Sequence, residues 1–103
     1  MKYIIILTTI QGEKNARLIA KALVEKRLAA CVQITRINSV YRWKGKIEED
    51  VEHLCLIKSR ENLYPEVEAE IKRLHPYETP EIIALPIKYG SEEYLQWLEK
   101  ETS

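Results

Sequence analysis

Between Leu74 and Glu81 the chain reads Leu-His-Pro-Tyr-Glu-Thr-Pro-Glu, which sets an imidazole, a phenol and carboxylates around two prolines. Each proline fixes its own φ and restricts the residue before it. The segment therefore cannot be helical, and its backbone sets the directions of its side chains. An imidazole and a carboxylate held rigidly together suit a transition-metal ion or proton transfer. A plainer role competes, in which His75 caps a helix C-terminus and the prolines turn the chain into the next strand.

Three other groups carry chemistry. Tyr41 and Trp43 alternate with Arg42 and Lys44, so on a strand the two rings share one face. That face is a stacking surface for a ligand or an aromatic cluster at a subunit contact. Glu48, Asp50 and Glu52 also share a strand face and could attract a hard cation. Arg42, Lys44 and Lys46 on the facing strand favour a solvated ion-pair network instead. His53 and Cys55 form a strand His-x-Cys pair of the kind a soft metal accepts, but two ligands are not a site. With a turn at Lys44-Gly45, Cys55 opposes a residue near Ile34. Cys31 then lies roughly 10 Å along the ladder, beyond disulfide reach, and both thiols are expected free.

These residues need elements to position them. Residues 3–9 are short, apolar and β-branched, which reads as a buried strand. From Glu13 to Arg27, Ala16, Ile19, Ala20 and Leu23 recur at helical spacing. Residues 29–43 turn β-like, Lys44-Gly45 is a tight turn, and a partner strand runs from about Ile47 to Lys58. Asn62 to Leu74 is a second helix, with Pro65 tolerated in its first turn and Leu63, Val67, Ile71 and Leu74 on one stripe. Ile82 to Ile87 is a fourth strand, and Pro86 marks it as an edge or a bulge. Ser91 caps a last helix through Glu99, with Tyr94, Leu95 and Leu98 inward.

The order is βαββαβ followed by a C-terminal helix, an α+β, ferredoxin-like arrangement. Right-handed crossovers put both main helices on one face of a four-stranded antiparallel sheet. The other face also carries apolar side chains and needs a cover. A hairpin whose strands each span roughly 40–50 Å overhangs a domain whose radius of gyration is about 13 Å. Its far end holds Tyr41 and Trp43, which gain little from water. A homo-oligomer in which neighbours cover sheet and ribbon is the economical arrangement, and a bulged or bent hairpin that folds back is the alternative.

The 103 residues set the scale of one domain, 1–103. The 16 Lys+Arg balance the 16 Asp+Glu, so nucleic acid is not expected as a partner. No apolar run reaches the roughly 20 residues of a membrane helix. Two cysteines without a CxxC pair fit a reducing, cytoplasmic setting. Abundant Glu and Lys with three Asn and three Gln fit a heat-loving source and a thermostable protein. GxGxxG, Walker, nucleophile-elbow and HExxH signatures are all missing. With no activated nucleophile, an enzyme is not expected.

Lys26-Arg27-Leu28-Ala29-Ala30-Cys31, Tyr41-Arg42-Trp43-Lys44-Gly45-Lys46-Ile47-Glu48, Leu74-His75-Pro76-Tyr77-Glu78-Thr79-Pro80-Glu81-Ile82 and Tyr94-Leu95-Gln96-Trp97-Leu98 together resemble the CutA family of divalent-cation tolerance proteins. The resemblance covers nearly the whole chain. It implies a tight homotrimer with a PII-like sheet arrangement, and a cytoplasmic role in tolerance of divalent metals, copper especially. It also implies copper ligation by a strand-one cysteine and the HPY histidine. Here Thr8 stands at the cysteine position and Leu74 where some members have a second histidine, so the expectation is weak Cu(II) or other divalent-cation binding through His75 and Glu81. Tyr41, Trp43, Tyr77 and Glu78 are the expected ligand-binding or subunit-interface residues. The alternative is a PII-like signalling or scaffold trimer that takes a small ligand or a protein partner in its inter-subunit clefts.

Overall fold

The computed structural model describes residues 2–103. The chain forms β1 (Tyr3–Ile10), α1 (Glu13–Glu25), β2 (Cys31–Trp43), β3 (Lys46–Arg60), a 3-10 turn at Glu61–Leu63, α2 (Tyr64–Leu74), β4 (Ile82–Pro86) and α3 (Glu92–Glu101). The four strands make one antiparallel sheet in the order β2-β3-β1-β4. This is the expected α+β topology, with β3 two residues longer at its C-terminal end and α2 opened by a separate 3-10 turn.

Alternation along β1 sorts the sheet into two faces. Ile4, Ile6, Thr8 and Ile10 are buried, with Ser59, Ile57, Cys55 and His53 opposite them on β3. α1 and α2 cover this face. Ala16, Ile19, Ala20 and Leu23 of α1 and Val67 and Ile71 of α2 are all buried, which is the apolar stripe the helical period demands. Pro65 sits in the first turn of α2, where its missing N–H costs nothing.

The second face holds Tyr3, Arg60, Lys58 and Cys31 at one end, and there α3 packs. The Tyr3 hydroxyl donates to Glu99 at 3.1 Å, and Arg60 Nε donates to the Thr102 hydroxyl at 2.8 Å. Leu98 is fully buried under this contact, whereas Tyr94 stays exposed, contrary to its expected inward position. Ser91 caps α3 through its hydroxyl, which accepts from the Tyr94 N–H. Arg27 has φ of 59° at the end of α1 and donates to the Lys100 and Ser103 carbonyls, tying the two helix ends together.

β1 pairs with β3 only as far as His53. Beyond it, residues 37–43 and 46–52 form a two-stranded ribbon that gives the chain its long axis, 44 Å against 25 and 22 Å. Lys44 and Gly45 have φ of 50° and 82°. Two consecutive left-handed residues make the two-residue hairpin loop whose twist matches the strands. That loop sets the register: Trp43 faces Lys46, Tyr41 faces Glu48 and Ile34 faces Cys55. Cys31 therefore faces Lys58, and both cysteines are free.

Candidate functional site

The same register decides what surrounds the ribbon aromatics. Residues directly opposed across a ladder share a face, so Tyr41 and Trp43 lie with Glu48, Asp50 and Glu52, and Arg42 lies on the reverse with Ile47. The expected network of Arg42, Lys44 and Lys46 with Glu48, Asp50 and Glu52 does not form. The acids meet phenols instead. The Tyr41 hydroxyl donates to Asp50, which pushes the phenol up to about 12. The Tyr77 hydroxyl donates to Glu52 at 2.7 Å. Burial first, and then that carboxylate, hold the Tyr77 phenol well above its ordinary range. Lys44 turns to Glu78, at 3.9 Å, with its ammonium 5.5 Å from the centre of the Trp43 ring.

The ribbon and the proline-bounded segment thus enclose a cleft of about 760 Å³. Tyr41 and Trp43 line one wall, Tyr77, Glu78 and Glu81 the other, and buried Glu52 also lines it. Four expected site residues, Tyr41, Trp43, Tyr77 and Glu78, are brought together here, and Glu81 joins them. The carboxylates carry the charge of the cleft lining, and Lys44 lies beside it against Glu78.

His75 is elsewhere. It ends α2, its own N–H bonded to the Ile71 carbonyl, and its side chain is buried. Ring Nε2 lies 2.8 Å from the Thr9 carbonyl and ring Nδ1 lies 3.2 Å from the Tyr77 N–H. A carbonyl only accepts, so Nε2 carries the proton and Nδ1 accepts. Both ring nitrogens are engaged, and the ring also meets the edge of Tyr77 with centroids 4.5 Å apart. A metal ion reaches the lone pair at Nδ1 only by displacing the Tyr77 N–H.

Among the described residues, no group of three or more His, Cys, Asp or Glu is placed to hold a metal ion. Thr8 is fully buried on the helix-covered face, and its hydroxyl has no hydrogen-bond partner among the described residues. It offers no thiolate. Cys55 is buried in the core beside it, and desolvation pushes its thiol up to about 11, so it is no ready ligand either. Among the described residues the donors do not make a closed coordination sphere.

Two residues depart from expectation. Glu52 is expected in a solvated cluster, yet counting two residues at a time from the Lys44-Gly45 turn puts it with the aromatics. Glu70, in the polar part of α2, is buried between Lys26 at 2.8 Å and Arg73 at 2.7 Å. Arg73, three residues on, is legible as a helical partner, but nothing local marks Lys26 or the burial.

Residues 4–101 match a protein family described as CutA1 divalent ion tolerance protein. The divalent-cation tolerance protein CutA of Thermus thermophilus is 50% identical over 99 residues, 95% of this chain and 96% of the relative. Human protein CutA is 52% identical over 95 residues, 91% of this chain, and this chain spans only 53% of its length. The solved Thermus thermophilus Cut A1 structure superimposes with a TM-score of 0.95 at 49% identity, over 98% of this chain and 99% of that one. A structure titled periplasmic divalent cation tolerance protein CutA, from Archaeoglobus fulgidus, gives a TM-score of 0.97 at 40% identity, over 98% and 99% of the two chains.

Proposed function

The chain belongs to the CutA1 family of divalent ion tolerance proteins, and from that premise we propose that it serves divalent-cation tolerance in the cytoplasm as a homotrimer that binds copper or another divalent cation weakly and catalyses no reaction. The cation is cargo, held and released. His75 Nδ1 and the Glu81 carboxylate are its donors from this chain, and a neighbouring protomer supplies further contacts.

One observation carries the reading. Among the described residues, the one bond to the Nδ1 lone pair is a 3.2 Å contact from the Tyr77 N–H, against 2.8 Å at the other ring nitrogen. Imidazole with carboxylate suits Cu(II), and it suits Zn(II) less strongly. Displacing a backbone hydrogen bond opposes binding by about 0.5–1.5 kcal/mol, which keeps the cation exchangeable. Two free cysteines fit a reducing compartment. No described helix is long and apolar enough to cross a membrane.

Calorimetric titration of chelator-stripped protein with Cu(II), and with Zn(II) in parallel, tests this. One saturable Cu(II) event per protomer is expected, at least tenfold weaker in His75→Ala and weakened in Glu81→Gln. Equal Cu(II) binding by wild type and His75→Ala rejects the site.

A second reading rests on the cleft itself. A volume of about 760 Å³ with aromatic walls lies within the range of small-molecule sites. Tyr41, Trp43, Tyr77 and Glu78 would then hold a small ligand or a protein partner in a PII-like signalling or scaffold trimer. Ligand binding that survives metal chelation selects this reading over the first.

A further inference from the structure

A second concavity lies on the opposite face of the sheet from the cleft, between α1 and the edge strand β2. Its volume is about 440 Å³, again within the span of small-molecule sites. Arg17 and Lys21, one helical turn apart on α1, and Arg36 on β2 bring three cations to it. In a chain of zero net charge this is a local surplus. The one carboxylate among its lining residues, Glu13, meets Arg17 at 3.6 Å with both side chains about two-thirds exposed, a contact of little strength in water. Lys21 and Arg36 have no ion-pair or hydrogen-bond partner among the described residues. Ala20, Val32 and Ile34 supply an apolar wall.

His53 also lines this groove, so its ring reports on what occupies it. Converging cations from two rigid elements, two of them guanidinium forks, match the oxygens of a phosphoryl group. The apolar wall matches a carbon skeleton attached to it.

We propose that the groove between α1 and β2 binds a small phosphorylated molecule, its phosphoryl oxygens among Arg17, Lys21 and Arg36 and its carbon part against Ala20, Val32 and Ile34. The groove shares no lining residue with the cleft, so this assignment holds whichever reading of the cleft prevails.

The test is titration of the full chain with phenyl phosphate and with inorganic phosphate at constant ionic strength, by calorimetry and by chemical shifts of the His53 ring. Phenyl phosphate should saturate one site per protomer, at least threefold tighter than inorganic phosphate, and should move the His53 resonances. Arg36→Gln and Lys21→Gln, both at exposed positions, should each weaken it at least fivefold. Arg42→Gln, a cation on the ribbon outside the groove, should leave it unchanged. Failure to saturate, or an equal loss in Arg42→Gln, would mean diffuse attraction of anions and overturns the proposal.

Discussion

The Tyr77 hydroxyl lies 2.7 Å from a carboxylate oxygen of Glu52, across 25 residues of sequence, and Glu52 is only 5% exposed. A buried carboxylate without a donor is costly. The phenol therefore locks the proline-bounded segment onto the ribbon and holds the cleft open at the same time. Tyr77→Phe removes the donor and keeps the ring. Hydrogen bonds to charged groups contribute about 1.5–3 kcal/mol, and a loss of that size is expected in denaturant titrations at matched protomer concentration. An unchanged midpoint would show that Glu52 finds another donor.

The same pair gives an alkaline transition. Burial and Glu52 raise the Tyr77 phenol above its ordinary value of 10.0. A phenol raised in the folded state contributes stability that is complete below pH 10 and is lost as pH rises through the folded value. Tyr41, raised to about 12 by Asp50, adds to the same slope. Thermal unfolding from pH 9 to pH 12 should show melting temperature falling in wild type and falling less steeply in Tyr77→Phe. Parallel slopes would remove Tyr77 from the account.

Glu70 gives the opposite sign. Arg73, and then Lys26, lower its carboxyl from the usual 4.5 to about 2. A depressed carboxylate contributes stability above its unfolded value, lost as pH falls through the folded one. Lys26 and Arg73 are half-exposed or more, so the lower part of the charged-bond range applies. Glu70→Gln should cost about 1–2 kcal/mol at pH 7, with the gap closing between pH 4.5 and pH 2. A gap that persists at pH 2 would assign the effect to packing.

How far the sequence carries these features depends on what positions each residue. The buried stripe of α1 follows from its own period, and the pairing of Ile34 with Cys55 follows from counting back from the Lys44-Gly45 turn. Glu70 is different. Its burial depends on Lys26, 44 residues earlier, and no local period encodes a partner from another element. His75 falls between. Its prolines announce a rigid segment, but that both ring nitrogens are taken depends on the Thr9 carbonyl, 66 residues away. Tyr94 was expected inward because it stands at the right helical spacing, yet α3 covers only one end of its sheet face and leaves that ring 40% exposed.

Thr8 carries a hydroxyl into the core with nothing to bond it. Valine has nearly the same shape and no polar atom to desolvate. Thr8→Val should stabilise the protein by about 1–2 kcal/mol, read from the denaturant midpoint with an unchanged slope. A destabilised variant would mean that the hydroxyl bonds to a buried water.

The proposed homotrimer makes the last prediction. Leu85 and Ile83 of β4 are 50% and 48% exposed, on the same sheet face as Tyr41 and Trp43 at 40% and 39%. α3 packs at the Tyr3–Arg60 end of that face and leaves these four side chains exposed. Burying each such side chain between protomers recovers about 1.5–3 kcal/mol, and a charge placed there opposes association. Leu18 on α1 is similarly exposed, at 53%, but lies outside the sheet. Light scattering at micromolar concentration should give three chain masses for wild type and Leu18→Asp, and one for Leu85→Asp. If Leu85→Asp kept the wild-type mass, the face would not be the subunit contact, and the apolar side chains on β4 would need another cover.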